Sequence, residues 1–111
     1  MILETGKLYQ CSEWNLLVYP SSEIALEVMA RGLGIRAAWS SSMASPAVAV
    51  NWASYWSKEL GYTVRCSEPS EIFMVIDHIT ANGIYFYHVV FGKIQGWIIC
   101  FVGSPVVQKV L

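Results

Sequence analysis

Charged side chains are scarce in this chain. Asp, Glu, Lys and Arg make up 14% of its 111 residues, against about 25% in an ordinary soluble domain. A disordered chain needs the reverse balance of high charge and low hydrophobicity, so disorder is excluded. There is no surplus of either sign: seven basic and eight acidic residues leave a formal charge of −1 and a pI near 6.0. A protein that neutralises many phosphates carries a basic excess, so the balance argues against strong non-specific nucleic-acid binding. An acid-rich tail, internal repeats and low-complexity segments are also missing.

Signatures of catalysis are missing too. There is no Gly-x-Ser-x-Gly elbow and no Ser-x-x-Lys. The three cysteines, Cys11, Cys66 and Cys100, include no C-x-x-C pair, which removes zinc-ribbon and thioredoxin-type readings. Their odd number argues against a closed disulfide framework. The expectation is reduced thiols packed as small hydrophobes, with a single Cys11–Cys66 or Cys11–Cys100 bridge as the alternative. Two histidines without acidic or thiol partners at ligand spacing make a poor metal site, and no cofactor is expected. Met1–Lys7 lacks the basic and apolar regions of a signal peptide. Residues 37–57 are uncharged and long enough to span a bilayer, but six serines, Pro46 and Asn51 within them argue against a membrane span. The localisation expected is cytoplasmic.

Apolar surface, by contrast, is plentiful. Hydrophobic residues make up 55% of the chain, including five Trp, six Tyr and four Phe. A domain of this size buries roughly 60–68% of its unfolded surface. The surplus calls either for an unusually aromatic core or for an interface with another subunit. The second reading is preferred.

The pattern along the chain predicts a single domain, 1–111, that is mainly β with an inserted helical pair at about 21–61. Residues 7–11 and 14–19 read as strands, ended by Pro20. A helix over 22–31 is capped by Ser21 or Ser22 and stopped by Gly32 and Gly34. A second helix over 46–60 has Ser45 as cap, Pro46 at its first turn and Gly61 after its end. Val48, Trp52, Tyr55 and Trp56 give it an apolar stripe. A short strand is read at 62–66. Beyond residue 71 the pattern is β. Ile72–Ile76 is a continuous apolar run, Asn82-Gly83 marks a hairpin before 84–91, residues 91–96 turn, and 97–101 and 106–110 are further strands. Short antiparallel strands with tight turns point to a small barrel, which removes exposed edges.

Glu71–Ile76, Phe86-Tyr87-His88-Val89 and Gly96-Trp97-Ile98 resemble the bacterial SH3-like (SH3b) barrel, in which an extended strand precedes an aromatic-Tyr-Lys-Val strand and a Gly-Trp-Val/Ile strand. His88 stands where Lys is common. The resemblance covers roughly 60 residues, and the helical pair replaces a short connection of that family. Sm-like ring proteins, which pair through edge strands and bind RNA, are the near alternative. Similar small barrels occur in phage genomes and virions, so virion association belongs with a phage origin.

Among candidate site residues, the aromatics Trp14, Tyr85, Tyr87, Trp97, Trp52 and Trp56 suit stacking on a base, a sugar or a partner peptide, with core packing accounting for most of them. His88 is a candidate ligand contact or pH-sensitive interface residue. Tyr87, Val89 and Phe91 read as the core face of their strand, leaving His88 and Val90 on the other face. Asp77 and His78 are neighbours on a strand, point to opposite faces, and read as polar strand-end residues. A Cys–His nucleophile pair is allowed by composition but supported by no spacing. Arg31, Arg36, Lys58 and Arg65 fall in or beside the helical pair and form the better candidate surface for phosphate. The function expected is a non-catalytic binding or assembly module, acting as a homo-oligomer or with other protein subunits. A nucleic-acid-binding Sm-like ring and an SH3b-type peptide or cell-wall binder with a groove near Trp14 and Trp97 are the alternatives.

Overall fold

A computed structural model describes residues 3–11, 15–31, 43–44, 46–68, 71–81, 83–101 and 107–110. The strands are β1 (Leu8–Cys11), β2 (Asn15–Val18), β3 (Met43–Ala44), β4 (Arg65–Cys66), β5 (Ile72–Ala81), β6 (Ile84–Phe91), β7 (Ile94–Phe101) and β8 (Val107–Val110). Helices α1 (Ser22–Arg31) and α2 (Pro46–Leu60) lie between β2 and β4 in sequence. The chain is therefore mainly β with two inserted helices. One antiparallel sheet has the order β7-β6-β5-β1-β8, and a smaller one the order β3-β2-β4.

Local chemistry explains the element ends. Ser21 Oγ accepts the Ile24 N–H at 3.2 Å and caps α1, and Glu23 and Arg31 suit its dipole at opposite ends. Gly61 follows α2 with φ +74°, the left-handed conformation that ends helices. Gly92 (φ +57°) turns β6 into β7. That turn is tighter than the pattern predicts: β7 begins at Ile94 rather than Trp97. Trp14, Arg36, Ser45 and Asn82, all singled out from the sequence, lie outside the described residues.

β2 organises the interior, because its side chains alternate between two cores. Leu16 and Val18 join Tyr9, Phe73, Tyr87, Val89 and Ile98 in the first core. Leu17 and Tyr19 join Val28, Trp56, Val64, Phe86 and Ile99 in the second. A strand buried on both faces reads as an unbroken apolar run, and Leu16-Leu17-Val18-Tyr19 is one. Each such side chain contributes about 1.5–3 kcal/mol by leaving water. The N-terminal segment closes the first core: the Leu3 N–H donates to Tyr87 Oη at 3.0 Å and the Glu4 N–H to Tyr9 Oη at 2.7 Å.

Besides sharing the first core, the two sheets are hydrogen-bonded to each other, among the described residues, at one point. Tyr19 and Trp97 exchange backbone hydrogen bonds, both 2.8 Å long. Among the described residues the ladder does not close into the expected barrel. The small sheet touches the β7 edge at this bridge, and β8 pairs only with β1. Helix α1 packs on β6 and β7, and α2 on the small sheet. On α2 the buried line is Ala49, Ala53 and Trp56; Val48 and Tyr55, from the predicted stripe, are exposed. Small residues let the helix axis approach the sheet, so the larger ones fall on its flank.

Candidate interaction face

The register of the large sheet sorts its residues onto two faces. Tyr87, Val89 and Phe91 point into the first core, as the alternation predicts. The opposite face has two halves. Near the β5–β6 turn, Phe86 and Ile99 lie directly across from each other and are covered by Ala25 and Val28 of α1. Toward the other end of β5 this layer stops, and among the described residues nothing covers the sheet.

The bare half is built of cross-strand rows. Val110 lies opposite Leu8, Leu8 opposite Met74, and Met74 opposite Val90. These four apolar side chains span four strands, and Gln95 of β7 extends the row. The next row holds Gln10 and Ile72. Leu8, Ile72, Met74 and Ile76 are 39, 46, 39 and 36% exposed, far from what their burial preference favours. Between the bare and covered halves runs the row Asp77, His88, Trp97. The imidazole of His88 stacks on the Trp97 indole, with centroids 5.0 Å apart and planes 7° from parallel.

A β-bulge between Val75 and Asp77 sets this arrangement. One extra residue, Ile76, shifts the phase of β5, so Asp77 rather than Ile76 falls opposite His88. Asp77 and His78 are thus mid-strand residues, not strand-end ones as the sequence pattern suggests. They do point to opposite faces: His78 pairs with Tyr87 on the first-core side.

Of the aromatic candidates, the structure brings His88 and Trp97 together and leaves Tyr85 on the opposite face, stacked on Tyr87 at 6.0 Å. The basic candidates sit on separate elements. Arg31 on α1 is paired with Glu27 at 2.6 Å, Lys58 is on α2, and Arg65 is on β4. Arg65 lines a cleft of about 380 Å³ with Cys66, Glu68, Glu71, Phe91 and Ile94. The Cys66 thiol there is free. Its Sγ–H donates to the Ala49 carbonyl at 3.3 Å, and burial, then Glu68, raise its pKa. It is held as the thiol, the unreactive form. Cys100 is buried and outside any disulfide. Among the described residues no group of three His, Cys, Asp or Glu gathers as a metal site, and no helix is long and apolar enough to cross a membrane.

Sequence reasoning missed Leu8, Ile72, Met74, Ile76 and Val110 as site residues. Their signal was present as the apolar surplus and the unbroken run Ile72–Ile76, but a run of that kind equally fits a strand buried on both faces. Comparison with known protein families, curated proteins and solved structures finds no match to this chain.

Proposed function

We propose that this chain is a non-catalytic assembly module whose bare sheet face takes a protein surface, in a homo-oligomer or a larger complex. The carrying observation is the apolar row Val110–Leu8–Met74–Val90, with Leu8 and Met74 exposed and the two valines half-buried, on a sheet whose other half is covered by α1. Contiguous apolar surface rimmed by polar groups is the mark of an interaction site. Here Gln10, Gln95 and Asp77 supply the rim. Burying the row extends the core outward by one layer, the usual completion of a sheet.

The SH3-like reading of the fold belongs to the same proposal. The Tyr19–Trp97 bridge lies in the Gly-Trp-Ile segment and links the small sheet to β7, which supports an opened relative of that barrel. Nucleic-acid binding is disfavoured. The paired strand positions of the bare half hold no basic residue among the described residues, Lys93 standing alone in the turn at its end, and the Arg31 guanidinium is already paired.

Light-scattering mass after size exclusion, with absorbance at 260 and 280 nm, tests the reading on protein prepared without nuclease. A discrete oligomer free of nucleic acid supports it. An oligomer carrying 260 nm absorbance that high salt removes supports the Sm-like alternative instead. A clean monomer refutes self-assembly.

A further inference from the structure

Resting on the assembly reading, we propose that the occupant of the bare face is a second copy of this chain, docked face to face about a twofold axis that passes near Met74.

Three observations favour a copy over another partner. The first is charge. In a twofold interface a residue at the axis meets its own copy, and residues off the axis meet other residues of the same patch. The bare half holds Leu8, Gln10, Ile72, Met74, Val90 and Gln95, and its one nearby acid, Asp77, lies at the border. It offers a charged partner no complement and offers itself no repulsion.

The second is shape. Two sheets pack about 10 Å apart, and a helix fills a layer of similar thickness. Helix α1 covers one half of the face and leaves the other as a recess beside it. Rotation about an axis through the recess lays the partner's bare half over this one. The partner's α1 then falls beyond the opposite margin, at the level of this copy's sheet, as this copy's α1 lies at the level of the partner's sheet. Met74 lies on β5, the central strand of the five, and so nearest the axis.

The third is area. Five strands about 4.8 Å apart and roughly four residues along each give a footprint of roughly 350 Å². The His88–Trp97 row and the flank of α1 bring this to about 500 Å² per copy, or about 1,000 Å² in all. That is the lower limit for a specific interface. The pair is accordingly expected to be a reversible one, at the small end of specific interfaces.

Sedimentation velocity over about 5–500 μM tests the pairing with Met74→Lys, Met74→Glu and an equimolar mixture of the two. Ile72→Lys serves as a second disruptive variant, and far-UV circular dichroism of each dilute protein verifies folding. The expected result is a wild-type monomer–dimer equilibrium, a shift of at least tenfold toward monomer in each single variant, and recovery of dimer in the mixture. An oligomer unaffected by the substitutions overturns the face-to-face pairing and leaves assembly standing. Loss of dimer without recovery in the mixture overturns the twofold placement of Met74. A 12.4 kDa monomer at every concentration overturns self-assembly altogether.

Discussion

Replacing Gly96 with alanine should destabilise the fold through one point of contact. Gly96 is not in a left-handed conformation, so the backbone itself admits alanine. An alanine there would even restrict the unfolded chain and stabilise by about 0.4–1 kcal/mol if space allowed. Space does not allow it. A Cβ at residue 96 overlaps Val18 Cγ1 and comes 3.0 Å from the Tyr19 carbonyl oxygen. Val18 is buried in the first core, and Tyr19 is tied to Trp97 by two backbone bonds of 2.8 Å. Either Val18 leaves its rotamer, or β2 moves from β7 and those bonds stretch. Overpacking of this kind costs about 1–3 kcal/mol, and a weakened buried bond about 0.5–1.5 more. Against the entropic gain, the net loss should be about 2–3 kcal/mol. At about 2.1 cal/mol/K of unfolding entropy per residue, 111 residues convert this to a fall in Tm of roughly 10 °C. Thermal melts at low protein concentration measure it. Val18→Ala provides the control: it removes the overlapped methyl, so the double variant should lose at least 1 kcal/mol less than the sum of the singles. A Gly96→Ala melt within about 2 °C of wild type, or strict additivity with Val18→Ala, refutes the argument.

Three further outcomes are expected. Burial raises the Tyr19 pKa above 10, and the folded state thus prefers the neutral phenol. Its contribution is intact below about pH 10, where unfolded tyrosine ionises, and falls above it by up to about 1.4 kcal/mol per pH unit. Urea titrations from pH 8 to 11 should show that decline, shallower in Tyr19→Phe; a flat profile contradicts it. Ser67→Ala should cost about 1–3 kcal/mol, since Ser67 Oγ accepts the buried Leu16 N–H at 2.8 Å; an unchanged urea midpoint would mean that the amide finds another acceptor. A double-mutant cycle between His88→Ala and Trp97→Phe should return a coupling of about 0.5–1.5 kcal/mol for the stacked pair, and zero coupling would reduce the stack to mere proximity.

Local signals made most of the fold legible. Pro46 and Gly61 bracket α2, Ser21 begins α1, and Gly83 (φ +76°) closes the β5–β6 hairpin. The alternation Tyr87, Val89, Phe91 identified the core face of β6. What escaped was non-local. The bulge at Ile76 sits inside a run of apolar residues, where a change of phase leaves no trace in composition. Leu8 and Met74 meet only because β1 pairs with β5 across more than sixty residues of chain, and no window of sequence contains that pairing. The surplus of apolar surface was therefore readable, while the face that carries it was not. The aromatic candidates divided for the same reason: Tyr85 and His88, three apart on one strand, must lie on opposite faces, and only cross-strand neighbours decide which face is open.

The bare half is informative because the fold itself does not require it to be apolar. An antiparallel sheet with one wet face alternates apolar and polar residues. At the border of the bare half β5 does place a polar residue, Asp77, on this face. Before the bulge it does not: Ile72 and Met74 stand where a polar residue would serve, and Leu8 on β1 repeats the pattern. Exposed positions of this kind tolerate polar substitution within about ±0.5 kcal/mol, so folding alone exerts little demand for three adjacent apolar residues there. A flat apolar patch is also a liability to uncontrolled association. A cross-strand row that gives the monomer little and exposes it to that risk is explained when the row is covered in the working state. The ordered placement of its rim, with Asp77, His88 and Trp97 along one side and Gln95 at its β7 end, then marks the boundary of the covered area.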